Sequence, residues 1–213
     1  MKIGVPKEIK SQEHRIGLTP ESVKILTSNG NKVLIENNGG FEAGFYNEEY
    51  VKAGAKIVDK AEDIFNDAEI IVKVKEPLAN EVKMIKENQI VFTYLHLAAA
   101  KELTQGLMNS KSICIAYETV TDNNGRLPLL APMSAVAGRM AVQAGAHCLE
   151  KNQKGRGLLL GGAPGVEPGN VVILGGGVVG ENAAIIATGM KAKVHIVDKV
   201  RTGIQNYQKN QKN

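Results

Sequence analysis

The sequence predicts an α/β protein built of parallel sheets covered by helices, in two parts of unequal size. Three observations carry this. Short β-branched runs alternate with helical patterns through the first part of the chain. Most of these runs are too continuously apolar for a sheet with one wet face, which points to buried, parallel strands. A late cluster of glycines sits between one such run and a small-residue helix, and a second run follows that helix.

In chain order, Ile3–Val5, Val33–Glu36, Lys56–Val58, Ile70–Val74, Ile90–Tyr94 and Ile113–Ala116 read as strands. Between the first two, Thr19-Pro20-Glu21 supplies an N-cap, a proline at the first helical position and an acid in the first turn, and Gly30 marks the end. A second helix opens near Glu48 and stops at Gly54. Repeated βα units of this kind imply an open, Rossmann-like sheet. The pattern changes at "APMSAVAGRMAVQAGAHCLE", a stretch rich in Ala and Met with no strand signal. It predicts one helix about 30 Å long whose small residues suit close packing between domains. The expected organisation is an N-terminal domain over 1–130, an interdomain helix and linker over 131–156, a partial nucleotide-binding domain over 157–200 and a polar tail over 201–213.

Composition narrows the function classes. The 213 residues are 43% hydrophobic and 23% charged, ordinary for a soluble globular protein. The formal charge of +4 is scattered without aromatic interleaving, which argues against nucleic acid as a partner. Cys114 and Cys148 lie far apart in apolar segments without metal-type spacing, so buried free thiols in a reducing cytoplasm are expected, and no metal site. The start "MKIGVPKEIK" has no apolar signal region, and no membrane partner is expected.

Within "VVILGGGVVGENAAIIATGMKAKVHIVD", Gly175, Gly177 and Gly180 satisfy G-x-G-x-x-G. The first permits a tight turn, the second lets the backbone approach a pyrophosphate, and the third lets helix pack on strand. Alone the spacing is weak. Here it follows a strand (Val171–Leu174), opens a helix (about Val178–Met190) and precedes a second strand (Val194–Val197) that ends at Asp198, 21 residues after Gly177. A dinucleotide pyrophosphate would rest on the helix N-terminus at Val178 and Val179, with Asp198 accepting from the ribose hydroxyls. A carboxylate there favours NAD over NADP, although Lys199 and Arg201 pull the other way.

These segments, with "MKIGVPKEIKSQEHRIGLTPESV", "VKVKEP", "TYLHLA", "LAPMSAVAGRMAVQAGAHCLE" and "GGAPGVEPGN", resemble the bacterial alanine dehydrogenase and transhydrogenase family from Met1 to about Lys199, in the same order. The resemblance implies NAD-dependent, reversible deamination of L-alanine to pyruvate and ammonia by a homo-hexamer. It implies that Arg15 binds the substrate carboxylate, Lys75 binds substrate, His96 is the acid–base residue and Ser134 contacts the nucleotide. From the residues alone three of them keep a plainer reading: Arg15 as a surface arginine, Lys75 with Lys73 equally plausible as a solvated strand-end cation, His96 as a structural histidine. His14 and His195 read as structural and His147 as helix packing.

After Asp198 the sequence "KVRTGIQNYQKNQKN" turns polar and departs from the family pattern, which continues with further βα units and a catalytic aspartate. The lineage function is therefore expected, with this chain inactive alone. A nucleotide-binding component of a proton-translocating transhydrogenase and a non-catalytic remnant are the alternatives.

Overall fold

The computed structural model describes residues 1–199. The tail over 201–213 lies outside the described residues. The chain divides into two compact units, Met1–Leu127 and the residues from Pro128 onward.

The first unit is one parallel sheet. Its elements are β1 (Lys2–Val5), α1 (Pro20–Ser28), β2 (Lys32–Glu36), α2 (Asn47–Lys52), β3 (Lys56–Val58), α3 (Ala61–Asp67), β4 (Ile70–Val72), α4 (Ala79–Val82), β5 (Ile90–Thr93), α5 (Lys101–Ser110) and β6 (Ile113–Ala116). The strand order is β3-β2-β1-β4-β5-β6, every adjacent pair parallel. Alternation along the strands explains why both faces are dry. In β2, Val33 and Ile35 enter one core with Ile3, Val5, Val23 and Tyr50, while Leu34 enters the other with Ile64, Phe65, Ile71 and Val91. The expected caps form: Thr19 Oγ1 accepts from the Ser22 amide at 3.3 Å, and Gly30 and Gly54 both have positive φ.

Chain direction decides where a site can lie. The chain builds outward from β1 through β2 to β3, then returns to place β4 on the other side of β1. The loops leaving β1 and β4 therefore part in opposite directions and open a crevice at their carboxyl ends, the switch point of an open α/β sheet.

The second unit contains α6 (Ala131–Cys148), β7 (Asn170–Leu174), α7 (Val178–Gly189) and β8 (Lys193–Val197). β7 and β8 pair in parallel, with Val171 opposite Val194 and Ile173 opposite Ile196. These four residues face α7, whose Ala183, Ala184 and Ala187 are buried with Ile173, Val142 and Leu160. The helix expected to lie between the domains belongs by its contacts to this unit. Its small residues serve α6–α7 packing: a Cβ on Gly138 would stand 2.2 Å from the Val179 carbonyl oxygen, so only glycine permits this approach.

Three smaller expectations are corrected. Cys148 is exposed, and Cys114 is only partly buried: it packs against the core from β6, which lies at the edge of the sheet. His147 faces solvent and pairs with Glu150 one turn on, at 3.3 Å, instead of packing. Lys73 is not a solvated strand-end cation; it is 1% exposed.

Candidate active site

The first unit gathers Arg15, Lys75 and His96 on loops at the carboxyl ends of its central strands. The loop after β1 supplies Glu8, Lys10, Glu13 and Arg15; β4 runs into Lys73, Lys75 and Glu76; β5 runs into Tyr94 and His96; β6 runs into Tyr117 and Glu118. Only Arg15, Lys75 and His96 were legible beforehand. Glu8 and Glu118, which accept the Lys75 and His96 amides, come from sequence-distant loops.

Arg15 grips Glu13 in a fork, with Nε at 2.8 Å from Oε1 and Nη2 at 2.7 Å from Oε2. This bonding holds the Glu13 carboxyl well below the usual carboxylate range, at about 2, and Lys75 adds a smaller pull in the same direction. The Arg15 charge also reaches the Tyr94 phenol, which burial raises and Arg15 partly restores. Tyr94 packs edge-on against Tyr117 with ring centres 5.0 Å apart.

Lys75 is held through its backbone. Glu8 accepts from the Val74 amide at 2.6 Å and the Lys75 amide at 3.3 Å, and its other oxygen takes the Lys73 ammonium at 3.2 Å. Lys73 also pairs with Glu81 at 2.7 Å, and Glu81 accepts the Leu78 amide at 2.8 Å. A buried lysine and two buried carboxylates thus tie β1 to the loop that carries Lys75.

His96 sits in a left-handed turn with φ 51° and ψ 38°. Glu118 Oε1 accepts its amide at 2.7 Å and that of Leu95 at 3.1 Å. Its ring nitrogen Nδ1 lies 3.5 Å from Glu76 Oε2, and Lys10 donates to the other Glu76 oxygen. Burial pushes both carboxyls up, but the Lys10 bond on Glu76 and the backbone amides on Glu118 outweigh it, so both settle below the ordinary value.

In the second unit the glycine motif has the geometry the spacing implies. Gly175 has φ 99°, in the region that disfavours any side chain. A Cβ on Gly180 would stand 1.9 Å from the Gly175 carbonyl oxygen, whereas one on Gly177 would meet nothing within 4 Å. The turn is therefore closed at its base and open where a phosphate would approach. The first intrahelical donor of α7 is Glu181, whose amide reaches the Gly177 carbonyl at 2.9 Å, so the Val178, Val179 and Gly180 amides precede the ladder. A cleft of about 680 Å³ is lined by Ser134, Gly175, Gly177, Val178 and Val179 among others. Asp198 accepts the Gly176 amide and so ties the end of β8 to the glycine turn. An open turn, donor amides and a carboxylate at the second strand end fit a dinucleotide. Among the described residues no cluster suits a metal ion, and no helix is long and apolar enough to cross a membrane.

Comparison with known proteins agrees with this geometry. The sequence matches the family "Alanine dehydrogenase/PNT, N-terminal domain" over residues 4–137 and "Alanine dehydrogenase/PNT, C-terminal domain" over 141–213. It is 54% identical over 199 residues to an alanine dehydrogenase of Halomonas elongata, covering 93% of this chain and 54% of that protein. It is 53% identical over 198 residues to that of Bacillus subtilis, covering 93% and 52%. The chain thus spans about half the length of the curated relatives it matches. Its structure superposes on an L-alanine dehydrogenase with a TM-score of 0.91 at 53% identity, covering 99% of this chain and 58% of that one. A transhydrogenase from Sinorhizobium meliloti matches with a TM-score of 0.82 at 23% identity, covering 98% and 60%, which shows a shared fold. With the family matched in both halves and half of all aligned residues identical, the chain belongs to the alanine dehydrogenase/PNT family.

Proposed function

We propose that this chain carries the substrate domain and the adenosine side of the cofactor site of an NAD-dependent L-alanine dehydrogenase, working in a cytoplasmic homo-hexamer. One observation carries the reading most directly: a guanidinium, an ammonium and an imidazole stand on the loops at the carboxyl ends of β1, β4 and β5 of a single sheet, in a chain whose half-identical relatives are named for this reaction. The partner is a small molecule, L-alanine or pyruvate with ammonia.

Arg15 and Lys75 suit the substrate carboxylate. A guanidinium carries five donors in a plane, so it can receive a second carboxylate beside Glu13 or in its place. Lys75 adds a point charge whose position is fixed by Glu8 through the backbone. His96 suits the proton that the amine or the attacking water must gain or lose. Bound NAD would supply the hydride acceptor for deamination, and NADH the hydride donor for the reverse reaction. Gly175, Gly177 and Gly180, with the Val178 and Val179 amides, would hold its pyrophosphate, Ser134 would border it, and Asp198 would read the ribose.

The test uses a completed enzyme in which residues 1–199 are joined to the part of the Halomonas elongata protein that the match leaves uncovered. NADH-dependent reductive amination of pyruvate is expected. Lys75→Ala should lower kcat/KM about 100-fold, since a charge-assisted contact to the reacting molecule is lost. Retention of full activity would remove Lys75 from the site. In the same protein Asp198→Ala should raise KM for NAD about 10-fold and narrow the preference over NADP, because the carboxylate no longer repels a 2′-phosphate. An unchanged NAD to NADP ratio would rule out Asp198 as the ribose reader.

A further inference from the structure

His96 is held in two ways that neither the reaction nor the fold alone requires. Its backbone lies in the left-handed region, φ 51°, which a residue with a Cβ avoids unless its surroundings impose it. What imposes it is Glu118, whose carboxylate collects the Leu95 and His96 amides at 3.1 and 2.7 Å. Its ring faces a second carboxylate. Glu76 Oε2 is enclosed and makes no hydrogen bond, while His96 Nδ1 stands 3.5 Å away and Lys10 donates to Oε1. An enclosed carboxylate oxygen requires a donor, and a proton on Nδ1 is the one placed to supply it.

We propose that Glu76 and Glu118 are positioning residues for His96: Glu118 fixes the turn that presents the ring, and Glu76 selects the neutral form with the proton on Nδ1, leaving Nε2 to take up and release the proton of the reaction. The proposal rests on the reading of His96 as the acid–base residue, but its geometry does not depend on that reading. In water a neutral imidazole favours the proton on Nε2, so the selected form is the minority one and reports directly on Glu76.

The form is read in the full 213-residue chain, labelled with ¹⁵N-histidine, from proton–nitrogen correlation spectra at about pH 8.5, where imidazoles are neutral. The signal of His96 is identified by its loss in His96→Gln. The expected result is Nδ1–H in the wild-type chain and Nε2–H in Glu76→Ala. Glu76→Gln, which keeps the shape, should give Nε2–H as well, because Lys10 claims the single amide oxygen and turns the NH₂ toward Nδ1. Glu118→Ala should speed hydrogen exchange at the Leu95 and His96 amides at least 10-fold while the β5 amides keep their protection. Nε2–H in the wild-type chain, Nδ1–H surviving in Glu76→Ala, or unchanged exchange in Glu118→Ala would each overturn the corresponding role. Because no turnover is read, failure here is distinct from failure of the proposed reaction, which the pyruvate assay decides.

Discussion

His96→Gln in the completed enzyme is expected to lower kcat for reductive amination by about 10²- to 10⁴-fold with KM for pyruvate changed only a few-fold, the usual contribution of a positioned acid–base group. The split follows from the proposed roles. Arg15 and Lys75 lie on the loops after β1 and β4, whereas His96 follows β5, so in the proposed site substrate binding and proton transfer would fall on different strands. Removing the imidazole leaves the carboxylate contacts in place. Gln keeps a hydrogen-bonding side chain of similar reach but cannot carry a proton, so the loss belongs to chemistry and not to packing. The ring is half exposed, which argues against a folding defect as the cause. Wild-type kcat in the variant, or a loss confined to KM, would assign the proton to another group.

The contrast between what sequence shows and what it hides has a physical basis. The strands and the glycine turn were legible because their signals are local: β2 reads as a run of apolar residues, and the roles of Gly175, Gly177 and Gly180 follow from spacing within a single turn. Arg15, Lys75 and His96 were legible only through family resemblance, since a cation at a strand end has several equally ordinary uses. The carboxylates that position them gave no signal. Glu8 is 65 residues from Lys73, and Glu118 is 22 from His96, and no periodicity relates residues joined only by strand order. The placement of Glu8 just past β1 was a usable cue once the order 3-2-1-4 was known, because the carboxyl ends of β1 and β4 are then neighbours. The long helix is legible as an element, whereas its small residues signal close approach but not which surface approaches. Gly138 against Val179 answers that.

Lys73→Met should destabilise the first unit by about 3–5 kcal/mol, the cost of removing one partner from a buried ion pair. Lys73, Glu8 and Glu81 have side chains only 1–3% exposed, and together they carry one formal positive and two negative charges. Three backbone amides, those of Val74, Lys75 and Leu78, offset the excess negative charge. Met fills nearly the same volume as Lys without charge, so no large cavity contributes. What remains is two carboxylates held in a dry site with no cation between them, and the low dielectric there makes their repulsion expensive. Hydrogen exchange of the β1 and β4 amides in the full chain measures the effect on this unit directly, which suits a chain of two compact units better than a single unfolding midpoint. The double variant Lys73→Met, Glu81→Gln should recover part of the loss, because Gln can still accept the Leu78 amide while one negative charge is gone. In the completed enzyme at low temperature, Lys73→Met should also raise KM for pyruvate, since Glu8 relieved of its cation is no longer fixed where it holds the Lys75 amide. Exchange within about 1 kcal/mol of wild type, or a double variant less stable than the single one, would show that the lysine is not the charge that keeps these carboxylates buried.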